Sequence, residues 1–155
     1  MTQAMQDFSV EALIPHRGAM RLIDRIVAID GDTAIAEADV AVDGLFATDG
    51  RVPAWVGIEF MAQTVAAWSG ARSQRDGGAP KLGLLLGSRR YAVHCESFAC
   101  GTTLRIETHC ELIGANGLGL FDCRILLGDE ALATATISVY EPEDAMAFLA
   151  VEASA

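Results

Sequence analysis

The strongest constraint on this chain is one stretch, Ala54 to about Gln74, that reads as a helix and is apolar or small nearly all the way round. Val56, Phe60, Met61, Val65 and Trp68 recur at steps of three and four residues. Gly57, Ala62, Ala66, Ala67, Gly70 and Ala71 fill much of the rest. A helix with no broad polar face has to be covered on most sides. Pro53 suits its start, because a proline there gives up an N–H that has no helical partner anyway.

What remains of the chain reads mostly as strand. Met20–Ile29 and Thr33–Val42 are two apolar-rich runs joined by Asp30-Gly31-Asp32, a hairpin signal. In the second run Ala34, Ala36, Ala38 and Val40 alternate with Ile35, Glu37 and Asp39. Residues 43–51 read as loop, and Gly77-Gly78-Ala79-Pro80 as the loop after the helix. Leu82–Leu86 is a continuous apolar run. Thr102–Gly114 alternates, with Leu104, Ile106, Thr108, Cys110 and Leu112 on the face expected to be buried. Ala115-Asn116-Gly117 and Gly128-Asp129-Glu130 join it to Leu118–Leu127 and Ala131–Tyr140, giving three antiparallel strands in a row. A short helix over Phe8–Leu13, with Ser9 as its N-cap, precedes all of this and stops at Pro15; the tail after Pro142 reads as a short helix or a frayed end. One long buried helix plus one antiparallel sheet is an α+β layout in which the sheet wraps the helix. The 155 residues are expected to form a single domain, 1–155.

Composition excludes several classes of function. With 52% hydrophobic and 21% charged residues the chain is not disordered. No apolar run reaches the roughly 18 residues that cross a bilayer, and the first residues lack the basic and apolar segments of a secretory signal. A cytoplasmic protein with no membrane insertion is the expectation. A net charge of −10 argues against nucleic acid as a partner. Cys95, Cys100, Cys110 and Cys123 form no C-x-x-C pair. His94 and His109 lie near them, but the spacing matches no structural zinc pattern, so buried thiols in a reducing compartment are expected and no metal.

Two places carry chemistry. Glu59 and Gln63 stand at i and i+4 among Ile58, Phe60, Met61 and Val65. An ionised carboxylate there is costly unless paired. It fits either a structural Glu held by the helix dipole and Gln63 or a general acid/base at the start of a core helix. His16, between Pro15 and Arg17, is the second candidate, either reactive or a brace for its loop.

These residues resemble a known family. Ile14-Pro15-His16-Arg17 followed by Met20-Arg21-Leu22-Ile23-Asp24-Arg25-Ile26 is similar to the opening of the β-hydroxyacyl-acyl-carrier-protein dehydratases. Glu59-Phe60-Met61-Ala62-Gln63 looks like that family's Glu-Ala-Met-Ala-Gln. Leu86-Gly87-Ser88-Arg89-Arg90-Tyr91 and Phe98-Ala99-Cys100-Gly101-Thr102-Thr103-Leu104 resemble its following strand and loop. The resemblance runs from Ile14 to Tyr140 and implies the hotdog fold, a curved antiparallel sheet around one long helix. One departure stands out. The family's catalytic His belongs to a His-Phe-Pro-Gly stretch, and fourteen residues before Glu59 this chain has Leu45, followed by Phe46. Gly50 to Glu59 looks like a divergent subgroup, similar to the dehydratase-like proteins of aryl-polyene lipid pathways.

The resemblance implies a 3-hydroxyacyl-thioester dehydratase: a hydro-lyase forming a 2-enoyl thioester in fatty-acid or polyene-type lipid biosynthesis. Glu59 is then the acid. The base is sought in His16, with Asp49 as a second candidate. Gln63, Pro53, Ala54, Trp55 and Gly57 would border the substrate, N–H groups at the helix start facing the thioester oxygen. Trp55, Trp68, Phe46 and Phe60 fit either a tunnel wall or the core. No cofactor is implied, since the acyl group arrives on the phosphopantetheine of an acyl carrier protein or on coenzyme A. Arg72, Arg75, Lys81, Arg89 and Arg90 fit a dock for an acidic carrier, or simply a solvated helix end. A homodimer, or a heterodimer with a related dehydratase, is implied too. Two other functions remain open: a hotdog thioesterase, or a non-catalytic partner of an active dehydratase.

Overall fold

The structure is a computed structural model and describes residues 9–75 and 84–140. A four-residue helix α1 (Val10–Leu13) leads through a 3-10 turn (Gly18–Met20) to β1 (Arg25–Asp30) and β2 (Thr33–Asp39). A short β3 (Arg51–Pro53) and a 3-10 turn (Ala54–Val56) open the long helix α2 (Gly57–Arg75). Then come β4 (Leu84–Val93), β5 (Ser97–Ala99), β6 (Thr103–Ile113), β7 (Leu118–Leu127) and β8 (Glu130–Tyr140).

Six strands form one antiparallel sheet in the order β1-β2-β6-β7-β8-β4, and β3 pairs with β5 as a separate ribbon. The order follows from local turns: β1–β2 and β6–β7–β8 are hairpins. Gly31 turns the first at φ +55° and Gly117 the second at φ +87°, values that cost a side-chain-bearing residue energy. β2 meets β6 in regular register from Thr33–His109 to Asp39–Thr103, which places the alanines of β2 against α2. One face of the sheet buries Ala34, Ala36, Leu104, Ile106, Phe121, Cys123, Ile125, Ala133 and Ile137. Against them α2 packs Phe60, Met61, Val65, Ala67, Trp68 and Ala71. Trp68 meets Phe121 edge-on at 5.4 Å, and its indole N–H donates to the Gly31 carbonyl at 2.9 Å. The burial expected for α2 is therefore realised, and the sheet wraps it.

Several expectations need correction. The first strand begins at Arg25 rather than Met20, because Gly18–Met20 coils into a 3-10 turn and Leu22 and Ile23 bond to Gln63 instead of a strand. Ser9 does stand at the N-cap of α1, but its side chain makes no capping bond. Leu112 is exposed, not buried, because a bulge between Cys110 and Leu112 breaks the alternation. β4 runs on through Arg89, Arg90 and Tyr91 to Val93, well past the apolar run that announces it. β3 and β5 had no counterpart in the sequence reading. Lys81, the 77–80 loop and the tail after Pro142 lie outside the described residues.

Candidate active site

Glu59 sits in the first turn of α2, and Gln63 one turn later is fully buried. Every polar atom of the Gln63 amide is used. Its Oε1 accepts from the N–H of Leu22 at 2.8 Å and, more weakly, of Ile23 at 3.4 Å. Its Nε2 donates to the Met20 carbonyl at 2.7 Å and to Glu59 Oε1 at 3.0 Å. One side chain therefore orients the carboxylate and ties residues 20–23 to the helix. The expected i, i+4 bond is present, and it is part of a larger clamp.

His16 is brought to the same carboxylate. Its Nε2 lies 3.7 Å from Glu59 Oε1, with the two side chains 28% and 36% exposed. Its Nδ1 is buried and has no hydrogen-bond partner among the described residues. A histidine that braced its loop would spend its ring nitrogens on the backbone. This ring does not, and buried polar atoms without a partner are rare enough to need a reason. The loop is instead held by Arg17, whose guanidinium donates to the carbonyls of Ile14 and His16.

The start of α2 is tightly built. The Tyr91 hydroxyl, on β4, donates to the Ala54 carbonyl and touches Gly57 so closely that no Cβ fits there. Burial pushes the Tyr91 hydroxyl up to about 12, with a smaller contribution from Cys95, so it stays a donor near neutrality. Two N–H groups expected to serve a thioester oxygen are already engaged: Ala54 donates to the Glu96 carbonyl at 3.2 Å, and Gly57 to Ala54. Pro53 is the N-cap of the turn and pairs with Ser97. Trp55 points outward, 64% exposed, and meets Phe46 edge-on at 5.7 Å. Trp68 and Phe60 belong to the core.

The other candidates lie elsewhere. Asp49, at φ +53°, and Gly50 form the tip of a tight turn closed by Thr48 and Arg51. Leu45 is 53% exposed in that same loop. Arg72 lies over the Trp68 ring at 5.5 Å, and Arg72 and Arg75 end α2. Arg89 and Arg90 are on β4, with Arg90 held at φ +57° beside a bulge. Arg90 lines a cleft of about 510 Å³ on the sheet face turned away from α2, with Glu107, His109, Asp122 and Arg124. Of the five cations, two stand at the helix end and two on an edge strand, and Lys81 lies outside the described residues. Among the described residues no group of His, Cys, Asp and Glu is placed to hold a metal ion. Burial raises the Cys110 and Cys123 thiols and keeps them protonated. No described helix is long and apolar enough to cross a membrane.

The sequence reading missed three contributors: Arg17, Tyr91 and Gly70. Arg17 stood inside the quoted Pro-His-Arg motif. Tyr91 closed the quoted Leu86–Tyr91 motif, and Gly70 was one of the small residues of the helix, but neither pointed to a partner.

The wrapped helix and strand order define a hotdog fold. Solved structures agree. The chain matches "The Dehydratase Heterocomplex ApeI:P from Xenorhabdus doucetiae" with TM-score 0.85 and 26% identity, over 94% of this chain and 99% of that one. A hypothetical thioesterase with coenzyme A from Streptococcus pneumoniae shares the fold at TM-score 0.59 and 13% identity, over 76% and 84% of the two chains. The PaaI protein of E. coli does so at TM-score 0.59 and 14% identity, over 77% and 78%. No curated protein matches. Residues 8–150 match the ApeP-like family, described as ApeP dehydratase, and the chain belongs to that family. Membership supports a dehydratase-like role.

Proposed function

We propose that this chain dehydrates 3-hydroxyacyl thioesters, with His16 and Glu59 as the reacting pair. The observation that carries the reading is the approach of His16 Nε2 to Glu59 Oε1, 3.7 Å, by a ring that makes no fastening bond of its own. Dehydration removes a proton from C2 and hydroxide from C3, which are adjacent carbons, so acid and base must stand side by side. His16 Nε2 takes the C2 proton. Protonated Glu59 gives its proton to the departing C3 hydroxyl, which leaves as water while the C2–H electron pair becomes the C2–C3 double bond. Glu59 Oε1 accepts from Gln63, so the proton to be donated sits on Oε2. After the product leaves, His16 gives its proton to water and Glu59 Oε2 takes one from water, both side chains being partly exposed, which restores the starting state.

Other features support a partnered enzyme. β4 is an edge of the sheet, with Leu85, Leu86 and Val93 exposed. An open apolar edge suits pairing with another sheet, and the relative named above is a dehydratase heterocomplex. A second hotdog subunit is the proposed partner, and an acyl carrier protein the proposed donor of the thioester, with Arg72 and Arg75 at the helix end as its dock.

Mass spectrometry of products from 3-hydroxyacyl carrier-protein substrates tests this. Wild type should give the 2-enoyl thioester, and Glu59→Gln should not. Free acid would make the protein a thioesterase. No turnover at any chain length, with activity appearing only in a partner subunit, would make it a non-catalytic member of a pair.

A further inference from the structure

We infer that Arg17 is a positioning residue, whose guanidinium holds the backbone that carries His16 in reach of Glu59. The inference rests on the reading of His16 and Glu59 as the reacting pair.

The strap from Ser9 to Ile23 is secured at both ends on the helix that carries Glu59. At its outer end α1 lies directly on α2: a Cβ on Gly70 would collide with the Leu13 carbonyl, and Gln74 Nε2 donates to the Ala12 carbonyl at 3.1 Å. At its inner end Gln63 bonds Met20 and Leu22. Between these anchors the chain must turn at Pro15 and His16, with no regular structure to pair its carbonyls. A helix as short as α1 also leaves its last carbonyls without helical partners.

Arg17 supplies these missing partners. Its Nη1 donates to the Ile14 carbonyl at 2.6 Å and the His16 carbonyl at 2.8 Å, and its Nη2 to the Glu11 carbonyl at 2.7 Å. One planar fork thus spans the end of α1, the turn and His16's own peptide. The His16 ring adds no hydrogen bond to this set, so its place above Glu59 is inherited from the backbone Arg17 holds. Lysine, a point charge on a flexible stem, cannot reproduce a fork.

The test compares kcat and KM for Arg17→Ala and Arg17→Lys, each alone and combined with His16→Ala. It adds the nuclear Overhauser contact between the His16 ring and the Glu59 side chain as a readout independent of turnover. Misplacing a reacting group by about 1 Å costs up to ~100-fold, so kcat should fall about 10- to 100-fold with KM within about twofold. Added guanidinium ion should restore part of the Arg17→Ala loss, and none of it when His16 is also replaced. In the His16→Ala background, removing Arg17 should change kcat by less than about twofold, since residues acting as a unit are not additive. The contact between His16 and Glu59 should vanish in both Arg17 variants. If Arg17→Ala loses its fold, Arg17→Lys, which keeps the charge and stem, decides. Retention of the contact with kcat within about twofold, or a full further loss in the His16→Ala background, overturns the inference. A wild-type protein that forms no enoyl product sinks the dehydratase reading instead, and the ring contact still decides what Arg17 holds.

Discussion

Two irregular stretches approach the start of the core helix, and they are built very differently. The strap of residues 14–23 is fastened by side chains: Arg17 to three carbonyls, Gln63 to Met20 and Leu22, with Ile14 and Ile23 fully buried. The loop of residues 41–51 is held mostly by backbone bonds, Gly44 to Ala41, Ala47 to Gly44, Thr48 to Arg51 and Cys100 to Gly50, and leaves Val42 and Leu45 in solvent. The dehydratase resemblance puts a catalytic histidine in the second stretch, where this chain has Leu45. The first stretch has a histidine against the carboxylate. The difference teaches where a held position is available: a reacting group is useful only if its position is fixed, and the strap, not the loop, offers that fixed backbone, as the proposed pairing of His16 with Glu59 requires. The loop leaves Leu45 exposed, while Phe46 is half-buried against the core and meets the exposed Trp55 edge-on.

The comparison breaks most visibly at the carboxylate. Glu59→Gln should lower the dehydration rate about 1000-fold, within the range acid–base groups supply, as read from enoyl-thioester formation. Next comes the pair of histidine changes. His16→Ala should cost about 100-fold, whereas Leu45→His, which restores a histidine in the loop, should leave the rate within about threefold. A large gain from Leu45→His would mean that the loop, not the strap, holds the productive position.

Smaller effects sharpen the picture through stability. Gln63→Leu fits the space but strands the Leu22 N–H and the Met20 carbonyl. It should cost about 2 kcal/mol, or roughly 4–8 °C in Tm for a chain of this length, as read by thermal unfolding. Gly70→Ala pushes a methyl into the Leu13 carbonyl, a backbone atom that cannot swing aside. It should cost about 1–3 kcal/mol and lower activity through the strap. Leu45→Ser is expected to change stability by less than about 0.5 kcal/mol, since the side chain is mostly in solvent.

Much of the fold was legible because it is local. Turn residues at Gly31 and Gly117 and the alternation of Ala34, Ala36 and Ala38 state their hairpins within a few residues. The all-round apolar character of α2 states its burial. The ribbon of β3 and β5 was not legible: three residues on each side, joined as Val52 to Phe98, carry no periodicity. The apolar run announced the start of β4, but its continuation past Leu86 escaped because residues 87–90 are exposed on both faces, so no alternation marks it. Within the site, Glu59 and Gln63 announced themselves by helical spacing. The meeting of His16 with Glu59 spans 43 positions, and no spacing argument predicts it. Arg17 stayed hidden because its partners are carbonyls, which every residue has.

The most direct test is proton exchange at C2 in heavy water, using a saturated acyl thioester that lacks the C3 hydroxyl. Exchange on such a substrate needs only the base. The account predicts deuterium incorporation by wild type, incorporation retained by Glu59→Gln, and none by His16→Ala. Exchange that survives His16→Ala at the wild-type rate would contradict the assignment of His16 as the base.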